Sequence, residues 1–165
     1  MKKMLKVLLS LALCLSCISC LCACEPTQTG DTEAPPKNVE NVFSFTSSYN
    51  LFTRKVTVNV FLSGDAELAG VAGTLPFDPT CLTYDSHKAT QSGIVITPGE
   101  GSIGFAYAGT QNLTKKTELF SVTFTYLSAP LNLTFTLDLD SENVVNADLE
   151  EVPYTVKDHF LEIVI

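Results

Sequence analysis

The chain predicts an all-β domain, a sandwich or a barrel, behind an N-terminal export segment and a polar linker. Three observations carry this. Beyond residue 40, apolar and polar residues alternate at period two over most of the chain. Clusters of Gly, Pro, Asn and Asp interrupt the alternation at short intervals. No stretch shows the 3.6-residue periodicity of an amphipathic helix.

The first element is residues 1–23. Lys2, Lys3 and Lys6 lead into Val7 to Ala23, in which every residue is apolar, Ser or Cys. A basic start, a short apolar stretch and small residues at its end describe a signal peptide. The run falls short of the ~20 apolar residues that a retained transmembrane helix needs. It ends on Leu21-Cys22-Ala23-Cys24, which resembles the lipobox of bacterial lipoproteins. That resemblance implies cleavage before Cys24 and a diacylglyceryl group on its thiol, hence an extracytoplasmic protein held to the cell membrane or surface. Two acyl chains suffice for stable anchoring.

Residues 24–40 form the second element: the lipidated Cys24, then EPTQTGDTEAPPKNVE, rich in Pro, Thr and acid and nearly devoid of apolar residues. This composition predicts a disordered linker. Residues 41–165 form the third, a length that suits one domain. Val56, Val58, Val60 and Leu62 share one face of a strand, as do Phe120, Val122, Phe124 and Tyr126. Leu131, Leu133, Phe135, Leu137 and Leu139 alternate with Asn132, Thr134, Thr136 and Asp138, predicting a third such strand. Further strands are expected near 42–49, 68–77, 93–97, 101–109 and 159–165.

Charge and cysteine usage narrow the function classes. Without Lys2, Lys3 and Lys6, seven basic residues face eighteen acidic ones, a net charge of 7 − 18 = −11. Such a surface excludes attraction to nucleic acid or to anionic lipid by overall charge. Of six cysteines, Cys14, Cys17, Cys20, Cys22 and Cys24 lie in or at the end of the signal. The mature chain keeps Cys24 and Cys81, so no disulfide is expected. Cys81 reads as a small apolar residue in a strand.

Several candidate sites fail on spacing. Asp138 to Asn143 suggests a calcium loop, but the EF-hand pattern wants Gly at its sixth position and Glu at its twelfth, where Asn143 and Leu149 stand. A solvated turn between strands fits better. His87, in a polar connection, and His159, at the start of a strand, make neither a metal site nor a base with an oriented partner. Asn112-Leu113-Thr114 and Asn132-Leu133-Thr134 match the glycosylation pattern, which a bacterial lipoprotein does not ordinarily use. Glu150 and Glu151 read as turn surface, with no sign of a catalytic cleft, so no enzyme and no cofactor is expected.

The stretch Leu62–Thr83, LSGDAELAGVAGTLPFDPTCLT, resembles the signature of the cohesin domain. The resemblance rests on Leu62–Gly64, then Leu68-Ala69-Gly70 leading an alternating strand, then Phe77-Asp78-Pro79 and Leu82. The later order agrees: GSIGFAYAG, the segment from Glu118 to Phe124, and Val152-Pro153 before the last strand. It implies a jelly-roll sandwich that binds a dockerin, a calcium-carrying module on a partner of a polysaccharide-degrading system, through one flat sheet face. By strand phase, Gly70, Ala72, Thr74 and Pro76 point out from that face, as do Gly104, Ala106 and Ala108 on its neighbour. Leu149 and Glu151 match an apolar-then-acidic pair at the rim. The family's dockerin binders carry Asn and Asp where Gly70 and Ala72 stand, and an acidic residue near Gly109. This chain departs from them there. A carbohydrate-binding lipoprotein on the same scaffold is the alternative, although polysaccharide faces usually stack on exposed aromatic rings. The chain has no Trp, and its unassigned Tyr49, Tyr84 and Tyr154 are scattered. A structural envelope lipoprotein is the third reading.

Overall fold

The computed structural model describes residues 40–64, 68–109, 116–128 and 131–164. They belong to one compact unit, Asn38–Ile165. The signal, Cys24 and the linker to residue 39 lie outside the described residues, as does Asn112-Leu113-Thr114. No helix occurs among the described residues, so none there is long and apolar enough to cross a membrane.

The strands are β1 (Asn41–Asn50), β2 (Lys55–Ser63), β3 (Gly70–Pro76), β4 (Leu82–Ala89), β5 (Ile94–Pro98), β6 (Ser102–Ala108), β7 (Thr117–Tyr126), β8 (Asn132–Phe135), β9 (Asp138–Val145), β10 (Tyr154–Val156) and β11 (His159–Glu162). One sheet runs β10-β1-β2-β7-β4 and a second β5-β6-β3-β9, with β11 and β8 paired separately. The fold is an all-β jelly-roll sandwich. Its pairings are antiparallel except β10 along β1.

The alternation read from sequence is the alternation of burial. Val56, Val58, Val60 and Leu62 on β2 are fully buried, and so are Phe120, Val122 and Phe124 on β7. The opposite sheet supplies Val71, Leu75, Ile103, Phe105 and Tyr107. Phe105 meets Phe120 at 5.0 Å between ring centroids, and Phe77 meets Phe124 at 5.0 Å, joining the layers. Burying each such side chain contributes ~1.5–3 kcal/mol, so the interlayer as a whole holds the sheets together. Among the described residues, this core runs from Phe43 to Ile163, within the compact unit Asn38–Ile165. Leu119 adds a residue to that layer. The register shifts between Val60 and Phe61 so that Val60 faces Phe120 while Phe61 faces Glu118. Leu119 is the extra residue of this bulge, and it too is fully buried.

Four expectations need correcting. Leu131–Leu139 is two elements: β8 pairs with β11, whereas β9 pairs with β3. The alternation of Leu133, Phe135 and Leu137 survives the change of partner, but Leu131 is exposed. Asp138 to Asn143 lies within β9 rather than in a turn. His87 sits in β4, not in a connection. β4 is an edge strand buried only at its start, so no hydrophobic pattern marks it. Cys81 is buried, but it occupies the turn before β4 rather than a strand. β10, three half-buried residues after Val152-Pro153, is too short to leave a periodic signal.

Candidate partner-binding face

The sheet β5-β6-β3-β9 turns one face to the core and the other outward. On β3 and β6 the outward positions pair across the ladder: Gly70 with Ala108, Ala72 with Ala106, Thr74 with Gly104. β5 extends two rows, Val95 beside Ala106 and Thr97 beside Gly104. The phase assigned from sequence places Gly70, Ala72, Thr74, Gly104, Ala106 and Ala108 together on one surface, and the ladder does so. Val71, Leu75, Ile103, Phe105 and Tyr107 are buried behind them.

On the other side of β3 the register breaks. Val71 faces Val144, yet Gly73 faces Leu139. Four residues, Asp140 to Asn143, therefore stand against Ala72 alone, and β9 bulges out along the rim. Gly73 lies under this bulge because no side chain fits there: a Cβ would fall 2.5 Å from the Asp138 carbonyl oxygen and against Leu139 Cδ2. The Asp140 carboxylate accepts the Glu142 N–H at 3.2 Å, closing the bulge on itself.

Two shallow troughs result. One, about 410 Å³, runs over Ala72, Thr74, Gly104 and Ala106, between Val95 and Thr97 on one side and Asp138, Asp140 and Asn143 on the other. The second, about 310 Å³, continues over Gly70, Ala72 and Ala106 to Glu142, Val145 and Leu149. Leu149 thus lines the face. Its backbone is left-handed, φ 63°, in a turn organised by Asn146. The Asn146 Oδ1 accepts the N–H groups of Asp148 and Glu150, both at 2.9 Å, and the Asn146 carbonyl accepts that of Leu149 at 3.1 Å. The turn holds the Leu149 side chain 80% exposed. Glu151 follows as an exposed residue bridged to Val145. Pro76, at the end of β3, is exposed.

Sequence reasoning missed Val95, Thr97, Asp138, Asp140 and Asn143 as part of this face. Ile94-Val95-Ile96 is continuously apolar, so its outward member carries no mark, although Val95 is 65% exposed. The alternation about Leu139 did turn Asp138 outward, but a turn assignment hid its place in the sheet.

The rest of the surface offers less. Tyr49 packs on Tyr126, Tyr84 is hydrogen-bonded to His87 Nδ1 at 2.8 Å, and Tyr154 donates to the Leu139 carbonyl at 3.1 Å. All three are half-buried and none lies on the small-residue face. His159 bonds Ser47 Oγ at 2.8 Å, away from His87. No group of three or more His, Cys, Asp or Glu that could hold a metal occurs among the described residues. The Asp-Pro turn behaves as its chemistry requires. The Asp78 carboxylate accepts the Thr80 N–H at 2.8 Å and its hydroxyl at 2.7 Å, and these bonds hold it below the usual carboxylate range. Burial, aided by the Asp78 charge, pushes the Cys81 thiol up.

Solved structures share this arrangement of sheets. A non-cellulosomal cohesin from the archaeon Archaeoglobus fulgidus superposes with a TM-score of 0.62 at 16% identity, over 76% of this chain and 92% of its own. The sixth cohesin of Acetivibrio cellulolyticus scaffoldin B, solved with a Cel5 dockerin variant, gives 0.60 at 15%, over 77% and 99%. This chain has the cohesin fold. A cohesin module from a Clostridium perfringens family 33 glycoside hydrolase gives 0.56 at 13%, over 74% and 97%. No protein-family model matches the chain, and no curated protein is detectably similar in sequence.

Proposed function

We propose that this chain is a lipid-anchored receptor that captures a dockerin-bearing protein of a polysaccharide-degrading system at the cell surface. The observation that carries the reading is the broad outward face of small residues on a cohesin fold, rimmed by Val95 on one side and Leu149 on the other. Gly and Ala have no side-chain rotamers to freeze on contact, and a partner helix can lie close to the sheet over Ala72 and Ala106. The exposed apolar rim residues then supply area to bury. Calcium belongs to the dockerin in this scheme. The signal segment and the Cys24 lipobox supply export and the tether, placing the protein outside the cytoplasm.

The test is calcium-dependent capture of a dockerin from the same organism by residues 38–165, read by calorimetry. We expect binding in calcium, loss in EDTA, and loss with Ala106→Arg, whose exposed site leaves the melting temperature unchanged. Failure of every such dockerin to bind at micromolar levels refutes the reading.

A further inference from the structure

The most exposed large apolar side chain among the described residues is not on the candidate face. Phe52, 96% exposed, caps the β1–β2 hairpin beside Leu51, 49% exposed. The tip is held firmly. The Asn50 Oδ1 accepts the N–H groups of Phe52 at 3.0 Å and Thr53 at 3.1 Å. Arg54 takes a left-handed backbone, φ 54°. Its carbonyl accepts the Tyr126 N–H at 2.8 Å and its guanidinium donates to the Leu127 carbonyl. That last contact brings Leu127, 43% exposed, to the same end. A pinned turn presenting Phe and Leu to water forgoes the stabilisation that burying those side chains would give.

We infer that this tip is a membrane-contact point that dips Leu51 and Phe52 into the bilayer carrying the Cys24 lipid; its place in the cell rests on the tether proposed above. Size favours a bilayer over a protein. A stable protein interface buries ~800 Å² on each partner, more than three side chains provide, whereas a bilayer accepts a few apolar groups without shape complementarity. Arg54 brings positive charge to the tip of a domain that is otherwise acidic, while Lys55 beside it is paired with Asp85 at 2.8 Å.

The length of the tether permits the contact. The tip lies at the far end of β1 from the linker, ten residues or about 33 Å away. The sixteen residues from Glu25 to Glu40 can span up to about 54 Å, enough to run back past β1. Tethering raises the local concentration of membrane, so an insertion too weak to recruit a free domain becomes effective.

The chain has no Trp, which makes Phe52→Trp a single reporter of the tip. Residues 25–165, which keep the whole linker, are coupled at their N-terminus to a synthetic lipid in phosphatidylethanolamine–phosphatidylglycerol vesicles. With Phe52→Trp we expect a blue-shifted emission and quenching by brominated lipid chains; with Val95→Trp, on the sheet face, we expect neither. An unshifted Phe52→Trp spectrum, equal quenching at both sites, or a shift that follows protein concentration without vesicles overturns the inference, the last pointing to a second copy of the chain. Mass spectrometry of Cys24 tests the tether separately, because the synthetic lipid makes tip insertion readable whether or not that thiol is acylated.

Discussion

Replacing Gly73 by Ala tests the account of the bulge directly. The new methyl would sit 2.5 Å from the Asp138 carbonyl oxygen and against Leu139 Cδ2. Leu139 can rotate, but the carbonyl belongs to the ladder in which Gly73 faces Leu139 and Thr74 faces Asp138. Relief to an ordinary contact of about 3.4 Å means moving backbone by roughly 0.9 Å, an overpacking change that costs ~1–3 kcal/mol. At about 4 °C per kcal/mol for a domain of this size, the melting temperature should fall by ~4–12 °C. Gly104→Ala is the internal control. Its Cβ would meet the Thr97 carbonyl oxygen at 3.5 Å, an ordinary contact, and Ala in a strand is favoured over Gly by ~0.5–1 kcal/mol. Scanning calorimetry of both variants decides. If Gly73→Ala melts within a degree of the parent, or Gly104→Ala melts as low as Gly73→Ala, the bulge does not constrain β3 as argued.

Other consequences can be read independently. Asp138 and Asp140 are the acidic side chains lining the larger trough; under the proposed function, converting both to Asn should weaken dockerin capture by about 0.4–2 kcal/mol, the worth of two exposed ion pairs, and flatten its salt dependence. Unchanged affinity and salt slope would show that the partner does not use the rim. Cys81 has its thiol pushed above its ordinary value of 9.0 by burial, so a disulfide reagent at pH 8 should leave it unmodified in the native protein and label it in urea; rapid native labelling would contradict that environment. Asp78 is held below its ordinary value of 3.8 by the two Thr80 bonds. A depressed folded value gives stability that is present above 3.8 and lost as pH falls through the folded value. Thr80→Ala should raise the Asp78 value measured by NMR titration, and no movement would refute the hydrogen-bond cause.

How much was legible depends on where the physics of each element resides. β2 and β7 are half-buried central strands, so every second residue is apolar and the phase is written in the chain. That phase carries over to β3 and β6, which is why Gly70, Ala72, Gly104 and Ala106 could be put on one surface from sequence alone. β4 and β10 lie on sheet edges. β4 buries little beyond its first residue, β10 is only half-buried over three, and neither carries a periodic signal. The division of Leu131–Leu139 was illegible for another reason. Side-chain alternation continues through Thr136 and Leu137 while the hydrogen-bonding partner changes from β11 to β3, and pairing partners are not encoded in a period of two. The bulge opposite Ala72 is similarly a property of two strands meeting. Its polar residues look like a turn until the register shows four of them, Asp140 to Asn143, against one.

That bulge alters what the face asks of a partner. Where the resemblance to dockerin-binding cohesins implies polar side chains at the centre, Gly70 and Ala72 offer none. The side-chain acceptors lie instead at the edge, on Asp138, Asp140 and Asn143, with Thr74 and Thr97 one row away. A helix seated over Ala72 and Ala106 would meet small side chains beneath it and carboxylates along one flank. Its small residues should face the sheet, and its cationic ones should turn toward β9. A helix with polar groups along its centre would leave them without side-chain partners, at ~1–3 kcal/mol for each one buried. If the proposed dockerin capture holds, selection among dockerins would be set by what the sheet centre refuses to pair as much as by what the rim attracts.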